Sequence, residues 1–215
     1  MTHIGQFITF EGPEGSGKST QVKRLAHRLE KAGHAVLLTR EPGGTPTGEV
    51  IRGILQHDHA GEPICPAAEL LLFEASRAQL VGHVIQPALA KGTWVVCDRF
   101  TDSTVAYQGY GRGFDVASIL ELNRVAVQGC EPNLTILLDV ETQTGLGRMS
   151  HRNRQTNVAS DRFEREAIEF HERLRTGYLQ LARRWPGRIK IVNGMRDEAS
   201  VEADVWKVVS DELKP

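Results

Sequence analysis

The chain has 215 residues, enough to bury one hydrophobic core, and 40% of them are hydrophobic and 25% charged, as in ordinary globular proteins. The formal net charge is -1, so no overall basic field favours nucleic acid as a partner. The sequence shows neither a basic segment followed by an apolar leader nor an apolar run long enough to span a bilayer. We therefore predict a cytoplasmic protein that does not bind membranes.

Short apolar segments alternate with helical ones, a pattern typical of a parallel sheet with helices on both faces. The predicted strands are Gln6–Phe10, Ala35–Thr39, Thr93–Cys97, Leu134–Leu138 and Ile189–Val192. The predicted helices are Lys18–Lys31, Thr47–Gln56, Ala67–Ala90, Ser118–Gln128, Thr142–Met149, Arg162–Arg184 and Val201–Leu213. Pro87 should kink or break the third helix near its end. The polar stretch Ser150–Ser160 is expected to be irregular, and its place between two helices fits a mobile lid.

The cysteines give no sign of a disulfide framework or a zinc site. Cys65, Cys97 and Cys130 are widely spaced, and no C-x-x-C pair occurs. We expect reduced thiols, as in a reducing cytoplasm.

A phosphate-binding loop is the most specific motif. The residues that match G-x-x-x-x-G-K-[ST] are Gly12, Pro13, Glu14, Gly15, Ser16, Gly17, Lys18 and Ser19. The motif follows a predicted strand and opens a predicted helix, where backbone N–H groups and the helix dipole can bind a β-phosphate. In this chemistry Lys18 reaches the β- and γ-phosphate oxygens, and the Ser19 hydroxyl is a ligand of Mg²⁺.

Two further loops follow predicted strands. Asp98 is placed after the third strand, where an acid can hold Mg²⁺ through water, and Arg99 beside it can bind an anion through two hydrogen bonds. The segment Thr39–Thr45, T-R-E-P-G-G-T, follows the second strand and contains a tight turn. Ligands of open α/β sheets bind outside the carboxyl ends of the strands, so we expect all three loops at one site.

The phosphate-binding loop alone fits several classes of protein. A GTPase needs N-K-x-D, but no Asn is followed by Lys, and the one D-x-x-G match, Asp58–Gly61, lies in a polar loop rather than at a strand end. A motor or transporter ATPase is normally longer or carries oligomer-specific signatures, and none is evident. A small-molecule kinase needs a second anion site for its acceptor, which Arg52, Arg77 and Arg99 can supply. The sequence favours the kinase.

Longer motifs resemble bacterial thymidylate kinase. They are Phe10-Glu11-Gly12-x-Glu14-Gly15-x-Gly17-Lys18-Ser19-Thr20, Thr39-Arg40-Glu41-Pro42-Gly43-Gly44-Thr45, Leu72-Phe73-x-Ala75-x-Arg77-x-Gln79-Leu80, Asp98-Arg99-x-x-x-Ser103-Thr104-x-Ala106-Tyr107-Gln108-Gly109 and Asp161-Arg162-Phe163-Glu164. The resemblance runs from about Phe7 to Val209, and the second and fourth motifs are specific to this family. Ser150–Ser160 is longer than the lid of familiar bacterial members.

The resemblance implies a nucleoside monophosphate kinase that moves the γ-phosphoryl group of ATP to dTMP with Mg²⁺, giving dTDP and ADP in dTTP biosynthesis. It implies one three-layer P-loop kinase domain over residues 1–215, with a five-stranded parallel sheet, a short lid at about 150–161 and a homodimeric assembly. For ATP it implies contacts from the phosphate-binding loop, from Thr20 and from Arg148, which packs on adenine. The implied metal ligands are Ser19 and Asp98.

The resemblance also implies an acceptor site for dTMP. Phe73 stacks on thymine, Arg77 and Gln108 bond its polar edge, and Thr104 lies near the base. Tyr107 crowds the 2′ position and so rejects ribose. The sugar and phosphate contacts come from the Glu14 carboxylate at the 3′-hydroxyl, from Arg52 and Arg99 at the phosphate, and from Arg40 and Glu41 beside it.

The catalytic residues implied by the resemblance are Lys18, Asp98, Arg99 and one lid arginine. Among Arg152, Arg154 and Arg162, the last is preferred because its motif anchors the alignment. Two other functions stay open: a kinase of a different nucleotide, and a regulatory nucleotide-binding protein that has lost turnover. The intact loop residues disfavour the regulatory protein, and dUMP stays open as a weaker acceptor.

Overall fold

The computed structural model describes residues 5–57, 61–156 and 160–215, so Asp58 and the predicted lid residues 157–159 lie outside it. In these residues five strands form one parallel sheet in the order β2-β3-β1-β4-β5. The strands are β1 Phe7–Glu11, β2 Val36–Arg40, β3 Trp94–Asp98, β4 Leu134–Asp139 and β5 Ile189–Asn193. The helices are α1 Lys18–Lys31, α2 Pro46–Gln56, α3 Pro66–Leu80, α4 Gln86–Ala90, α5 Thr101–Thr104, α6 Val116–Val127, α7 Thr142–Thr156, α8 Ile168–Arg184 and α9 Glu198–Leu213.

Helices cover both faces of the sheet. On one face Ile8 of β1 packs with Leu25 of α1 and Val205 of α9. On the other face Phe7 packs with Leu80 of α3. Because both faces are buried, the strands are apolar throughout rather than alternating. The predicted α/β class is confirmed, and each strand lies within one residue of its predicted bounds. Across the described ranges, no helix is both long enough and apolar enough to cross a membrane.

The predicted helix Ala67–Ala90 is continuous but not regular. A π-helical segment, Val81–Ile85, joins α3 to α4. Pro87 stands in the first turn of α4. The wider π-helical turn before it relieves the contact that a proline ring otherwise makes with the preceding turn. The chain therefore stays helical through Pro87 instead of breaking.

The sequence patterns did not predict one helical element. α5 continues directly as a π-helical segment, Val105–Gly111. This stretch is rich in glycine and β-branched residues, which are weak helix formers. Its helical form depends on burial, since Thr104, Tyr107 and Gln108 are all buried and the segment packs on α6 and α8.

The predicted irregular stretch Ser150–Ser160 is wrong for residues 150–156, where α7 continues. The side chains of His151 and Arg152 are exposed, so this part of α7 is a solvated helix whose composition resembles that of a loop. No Pro or Gly interrupts the chain between Arg148 and Thr156. The assignment of a lid to residues 150–161 stays a prediction.

Local capping sets other helix boundaries. α8 begins at Ile168 rather than at Arg162, because Asp161 Oδ1 accepts the backbone N–H of Glu164 at 2.9 Å and closes a turn before the helix. α9 begins earlier than predicted because the side chain of Asp197 accepts an N–H of its first turn. Hydrophobic periodicity does not reveal such side-chain hydrogen bonds, so it does not predict the helix boundaries that they set.

The phosphate-binding loop packs tightly against the first turns of α7. A Cβ atom added at Gly15 would lie 2.0 Å from the carbonyl oxygen of Gly145, and one added at Gly145 would lie 2.4 Å from that of Glu14. A Cβ atom added at Gly147, in the same helix, would have no described neighbour within 4 Å. The close backbone approach at Gly145 thus fixes the loop, whereas Gly147 has free space.

We expect Gly145→Ala to displace the phosphate-binding loop and to weaken ATP binding by roughly tenfold or more, because small misplacements of positioning groups are costly. Gly147→Ala is the matched control in the same helix. It should leave ATP affinity unchanged and raise the free energy of unfolding by up to about 1 kcal/mol through its higher helix propensity. Calorimetric ATP titration and thermal unfolding measure both effects, and equal ATP affinities for the two variants would contradict the role given to Gly145.

Candidate active site

A cavity of about 420 Å³ lies where the loops after β1, β2 and β3 meet. Most of the predicted site residues line it: Glu14, Gly15, Ser16, Gly17, Lys18, Ser19, Thr20, Glu41, Arg52, Phe73, Arg77, Asp98, Arg99, Thr104, Tyr107, Gln108 and Arg148. Gly12, Pro13 and Arg162 do not line it. The structure therefore brings together residues that are distant in sequence, as expected at the carboxyl ends of parallel strands.

Glycines give the phosphate-binding loop its shape. Gly15 has φ 68° and Gly17 has φ 90°, in the left-handed region that other residues adopt at a cost. Gly17 immediately precedes α1, so the loop ends at the N-terminus of that helix. The unpaired N–H groups and the dipole of a helix N-terminus attract anions. This geometry suits a phosphate.

Lys18 is the cation of the phosphate-binding loop. Its Nζ donates to the carbonyl oxygens of Gly12 and Pro13, at 2.9 Å each, and to the Ser16 hydroxyl at 3.2 Å. Burial, together with the nearby charge of Arg99, lowers the pKa of Lys18 from 10.5 to about 8. The ammonium group is thus held in the loop and binds its proton less tightly than a free lysine, while it stays mostly charged at neutral pH.

Ser19 and Asp98 present adjacent oxygen atoms from two different elements. The Ser19 hydroxyl donates to Asp98 Oδ2 at 2.7 Å, joining the start of α1 to the end of β3. Hydroxyl and carboxylate oxygens are ligands that Mg²⁺ accepts, and Mg²⁺ sites commonly use few protein groups together with phosphate oxygens and water. The pair therefore fits the predicted metal ligands.

Glu14 connects the phosphate-binding loop with the opposite wall of the cavity. Its Oε1 accepts a hydrogen bond from Arg99 Nη2 and another from the Tyr107 hydroxyl, both at 2.6 Å. Burial raises the pKa of Glu14, but the charges of Arg99 and Lys18 outweigh it and lower the pKa from 4.5 to about 2. Glu14 is therefore ionised at neutral pH.

A buried network holds Arg99, whose backbone has φ 73°. Its Nη1 donates to the hydroxyls of Tyr178 and Ser103, at 3.1 and 3.3 Å. Glu11, at the end of β1, accepts the N–H of Phe100 at 2.7 Å and the hydroxyl of Ser103 at 2.6 Å. Burial raises the pKa of Glu11 to about 7. The sequence motifs assign no role to Glu11, Ser103 or Tyr178.

One end of the cavity is basic. Arg40, Arg52 and Arg99 all border it. Arg52 donates to the carbonyl oxygen of Pro42 at 3.0 Å, and Arg40 pairs with Glu49 at 2.9 Å. Burial and the positive charge of Arg40 lower the pKa of Arg52. Guanidinium groups gathered in this way favour an anion between them.

Another part of the cavity is aromatic. Phe73 and Phe163 have ring centroids 5.8 Å apart, and Phe163 lies edge-on to Tyr107 at 5.7 Å. All three rings line the cavity. A planar base fits between such walls. In the sequence, Phe163 belongs to a motif, but a lone aromatic residue after a polar stretch does not by itself indicate a binding site.

Arg77 is 1% exposed, and every N–H group of its guanidinium has an acceptor. Nε and Nη2 donate to Glu41, Nη1 donates to Glu74 and Asn123, and Nη2 also donates to Thr104 Oγ1. Burial raises the pKa of Glu41 to about 7, although Arg77 opposes the shift. A base could bond Arg77 only by sharing one of these N–H groups.

Two of the candidate lid arginines, Arg152 and Arg162, lie in different places. Arg152 lines the cavity and pairs with Glu164 at 2.8 Å. Arg162, the preferred candidate from the sequence, lies elsewhere: its Nη1 is 2.6 Å from Glu69 Oε2. In this conformation Arg152, rather than Arg162, borders the cavity. The catalytic role given to Arg162 stays a prediction.

The pKa of Lys18 predicts a pH dependence of ATP binding. Below about pH 8 the ammonium group is charged, and above it the charge is lost as pH rises, so ATP affinity should fall by up to about tenfold per pH unit. Calorimetric titration from pH 7 to pH 10 measures this. Lys18→Met should bind ATP more weakly with no such slope, and parallel slopes for parent and variant would assign the titration to another group.

Comparison with known proteins identifies the family. The family model for thymidylate kinase matches residues 10–205. The thymidylate kinase of Syntrophotalea carbinolica is 51% identical over 210 residues, covering 96% of each chain. That of Geobacter sulfurreducens is 51% identical over 207 residues, covering 94% of this chain and 96% of the relative. The crystal structure of thymidylate kinase from Ehrlichia chaffeensis is similar with a TM-score of 0.75 and 34% identity, covering 95% of this chain and 98% of that one. This chain belongs to the thymidylate kinase family.

Proposed function

We propose that the protein transfers the γ-phosphoryl group of ATP to dTMP, giving dTDP and ADP, in dTTP biosynthesis. The observation that carries the proposal is the position of Glu14, which belongs to the phosphate-binding loop and yet bonds Arg99 and Tyr107 on the other wall. One cavity therefore contains both a binding site for the triphosphate of ATP and, directly beside it, a pocket for the phosphoryl acceptor. Membership of the family supports the same activity.

On the donor side, the phosphate-binding loop and Thr20 hold the ATP phosphates, and Lys18 neutralises the β- and γ-phosphate oxygens. Arg148 packs on adenine, and its position is fixed by the hydrogen bond from its Nη1 to Gly194 O at 2.8 Å. The Ser19 hydroxyl and the Asp98 carboxylate would hold Mg²⁺. Mg²⁺ held there would neutralise negative charge on the phosphate groups of ATP.

On the acceptor side, the aromatic wall at Phe73 stacks on thymine. Gln108 bonds the polar edge of the base together with Arg77, which shares one of its committed N–H groups, and Thr104 lies near the base. Tyr107 occupies the space of a ribose 2′-hydroxyl, while the ionised Glu14 accepts a hydrogen bond from the 3′-hydroxyl. The basic end holds the acceptor phosphate through Arg52 and Arg99. Arg40 and Glu41 border the cavity and shape this end.

The chemistry requires positioning more than acid or base catalysis. The second pKa of a phosphate monoester is about 6, so the attacking oxygen of dTMP is already anionic at neutral pH. Lys18 and Arg99 stabilise negative charge on the transferring phosphoryl group. Because ATP and dTMP are bound side by side in one cavity, the transfer becomes effectively unimolecular. A lid over residues 150–161 would exclude water and so suppress hydrolysis of ATP.

The proposal extends to the organisation of the protein. We take residues 1–215 as one kinase domain that forms a homodimer in the cytoplasm. Exposed apolar side chains on two packed helices, Val50 of α2 at 66% and Leu71 of α3 at 56%, support a dimer. The free state of Cys65, Cys97 and Cys130 is compatible with a reducing compartment.

A coupled ADP-release assay across the nucleoside monophosphates tests the activity. We expect kcat/KM for dTMP to exceed that for dCMP, dGMP and AMP by a factor of about 10² or more, because mismatched bases leave buried polar groups unpaired. Lys18→Met is the inactive control that excludes contaminating kinases. A kcat/KM for dTMP no higher than for the other acceptors would refute the proposal.

Lid arginines should stabilise the transferring phosphoryl group, because the variable positions of the phosphate-binding loop are not basic. Single Arg→Ala variants of Arg152, Arg154 and Arg162 separate the candidates by single-turnover rates at saturating substrates. At least one should slow transfer by roughly 10² or more with little change in nucleotide affinity. Arg183→Ala, exposed on α8, is the matched control. Rates within about tenfold of the parent for all three, and for the triple variant, would show that the lid is not catalytic.

A further inference from the structure

Glu69 of α3 is a buried carboxylate that the phosphate-transfer chemistry does not use. It is 1% exposed. Its Oε1 accepts the side-chain amide of Gln108 at 2.8 Å and Arg112 Nε at 3.2 Å, and its Oε2 lies 2.6 Å from Arg162 Nη1. Arg112 also pairs with Glu166 at 2.6 Å. The carboxylate is thus flanked by two guanidinium groups, and its described partners Gln108, Arg112 and Arg162 all offer N–H groups to it.

A carboxylate that pairs with guanidinium groups through both oxygens acts as the acceptor toward its neighbours. The atom of Gln108 that faces Glu69 must therefore be the amide nitrogen, and the opposite orientation of the amide would set two acceptors against each other. The carbonyl oxygen of Gln108 then lies at the end of the amide group that points away from Glu69. Glu69 fixes an orientation that a glutamine alone does not have.

The carbonyl oxygen of Gln108 is an unsatisfied acceptor. Gln108 is 1% exposed and lines the cavity, and its Oε1 is buried with no hydrogen-bond partner in the described part of the chain. Buried polar atoms of native proteins are normally paired, so an unpaired acceptor beside a cavity points to a ligand that brings a donor.

We infer that Glu69 is a positioning residue for base selection. By holding the amide nitrogen of Gln108, it presents Oε1 to the base and so selects a pyrimidine whose ring position 3 carries N–H. Thymine and uracil have that N–H, whereas cytosine has an unprotonated nitrogen there that would meet Oε1 as a second acceptor. The inference rests on the proposed function, in which Gln108 bonds the polar edge of the base.

The test compares kcat/KM for dTMP, dUMP and dCMP in the parent and in Glu69→Gln. The new amide can donate to Gln108 Oε1 and so allows Gln108 to turn its own N–H groups to the base. In this variant kcat/KM for dTMP and for dUMP should each fall by roughly tenfold or more, whereas kcat/KM for dCMP should stay unchanged or rise. A merely structural role would lower all three by the same factor, and an unchanged ratio of dTMP to dCMP would overturn the inference.

Two further variants complete the test. Arg112→Gln removes a guanidinium from Glu69 but leaves its bond to Gln108, so the ratio of dTMP to dCMP should stay within about threefold of the parent. Glu69→Gln combined with Gln108→Glu exchanges the two groups and again presents an acceptor to the base. It should restore the preference for dTMP over dCMP, and it keeps the total charge of the two side chains unchanged if the single variant folds poorly. Failure of this restoration in a folded double variant would count against the inference, whereas a parent without preference for dTMP would refute the proposed function itself.

Discussion

The ion pair between Glu14 and Arg99 is the interaction on which the site depends. One partner lies in the phosphate-binding loop after β1 and the other follows β3, so their 2.6 Å contact sets the distance between the donor and acceptor sides of the cavity. The pair is largely removed from water, and breaking such a pair by removing one partner typically costs about 3–5 kcal/mol, because the other charge is left unpaired. Arg99 also adopts a left-handed backbone, a conformation that costs on the order of 1–3 kcal/mol and persists only where its surroundings hold it. Here Ser103 and Tyr178 provide that support.

The same principle governs the pocket around Arg77 and Gln108, which contains buried charges with assigned partners. Arg77 has all of its N–H groups committed to Glu41, Glu74, Asn123 and Thr104. Glu69 is committed to Gln108 and to two arginines. Hydrogen bonds and ion pairs of this kind hold the side chains in place, so donors and acceptors face the cavity in a fixed pattern. Unpaired atoms in such a pocket are therefore informative: Gln108 Oε1 has no partner in the described residues, and we read it as the position that a base must satisfy.

Irregular helical geometry carries several of these groups. The π-helical segment after α5 places Tyr107 and Gln108 on a wide turn beside α8, and π-helical turns are found frequently at functional sites. A Cβ atom added at Gly111 would lie 2.6 Å from the Phe170 ring, so glycine is needed where this segment meets α8. The backbone of this segment is therefore irregular, and the segment packs closely against α8. That packing brings Tyr107 within hydrogen-bond reach of Glu14.

The sequence by itself determined the strands, their parallel arrangement and the phosphate-binding loop, because buried strands and glycine-rich turns depend on local composition and spacing. It also indicated most of the residues that line the cavity, through motifs that resemble one family. Tertiary structure alone decided the helical form of residues 101–111, because weak helix formers become helical there only when their side chains are buried. It also decided that α7 continues to Thr156, that Arg162 pairs with Glu69, and that Glu11 and Glu69 have partners. The partners of these buried charges are far apart in sequence and meet only in the folded chain. A pattern of neighbouring residues therefore cannot predict them.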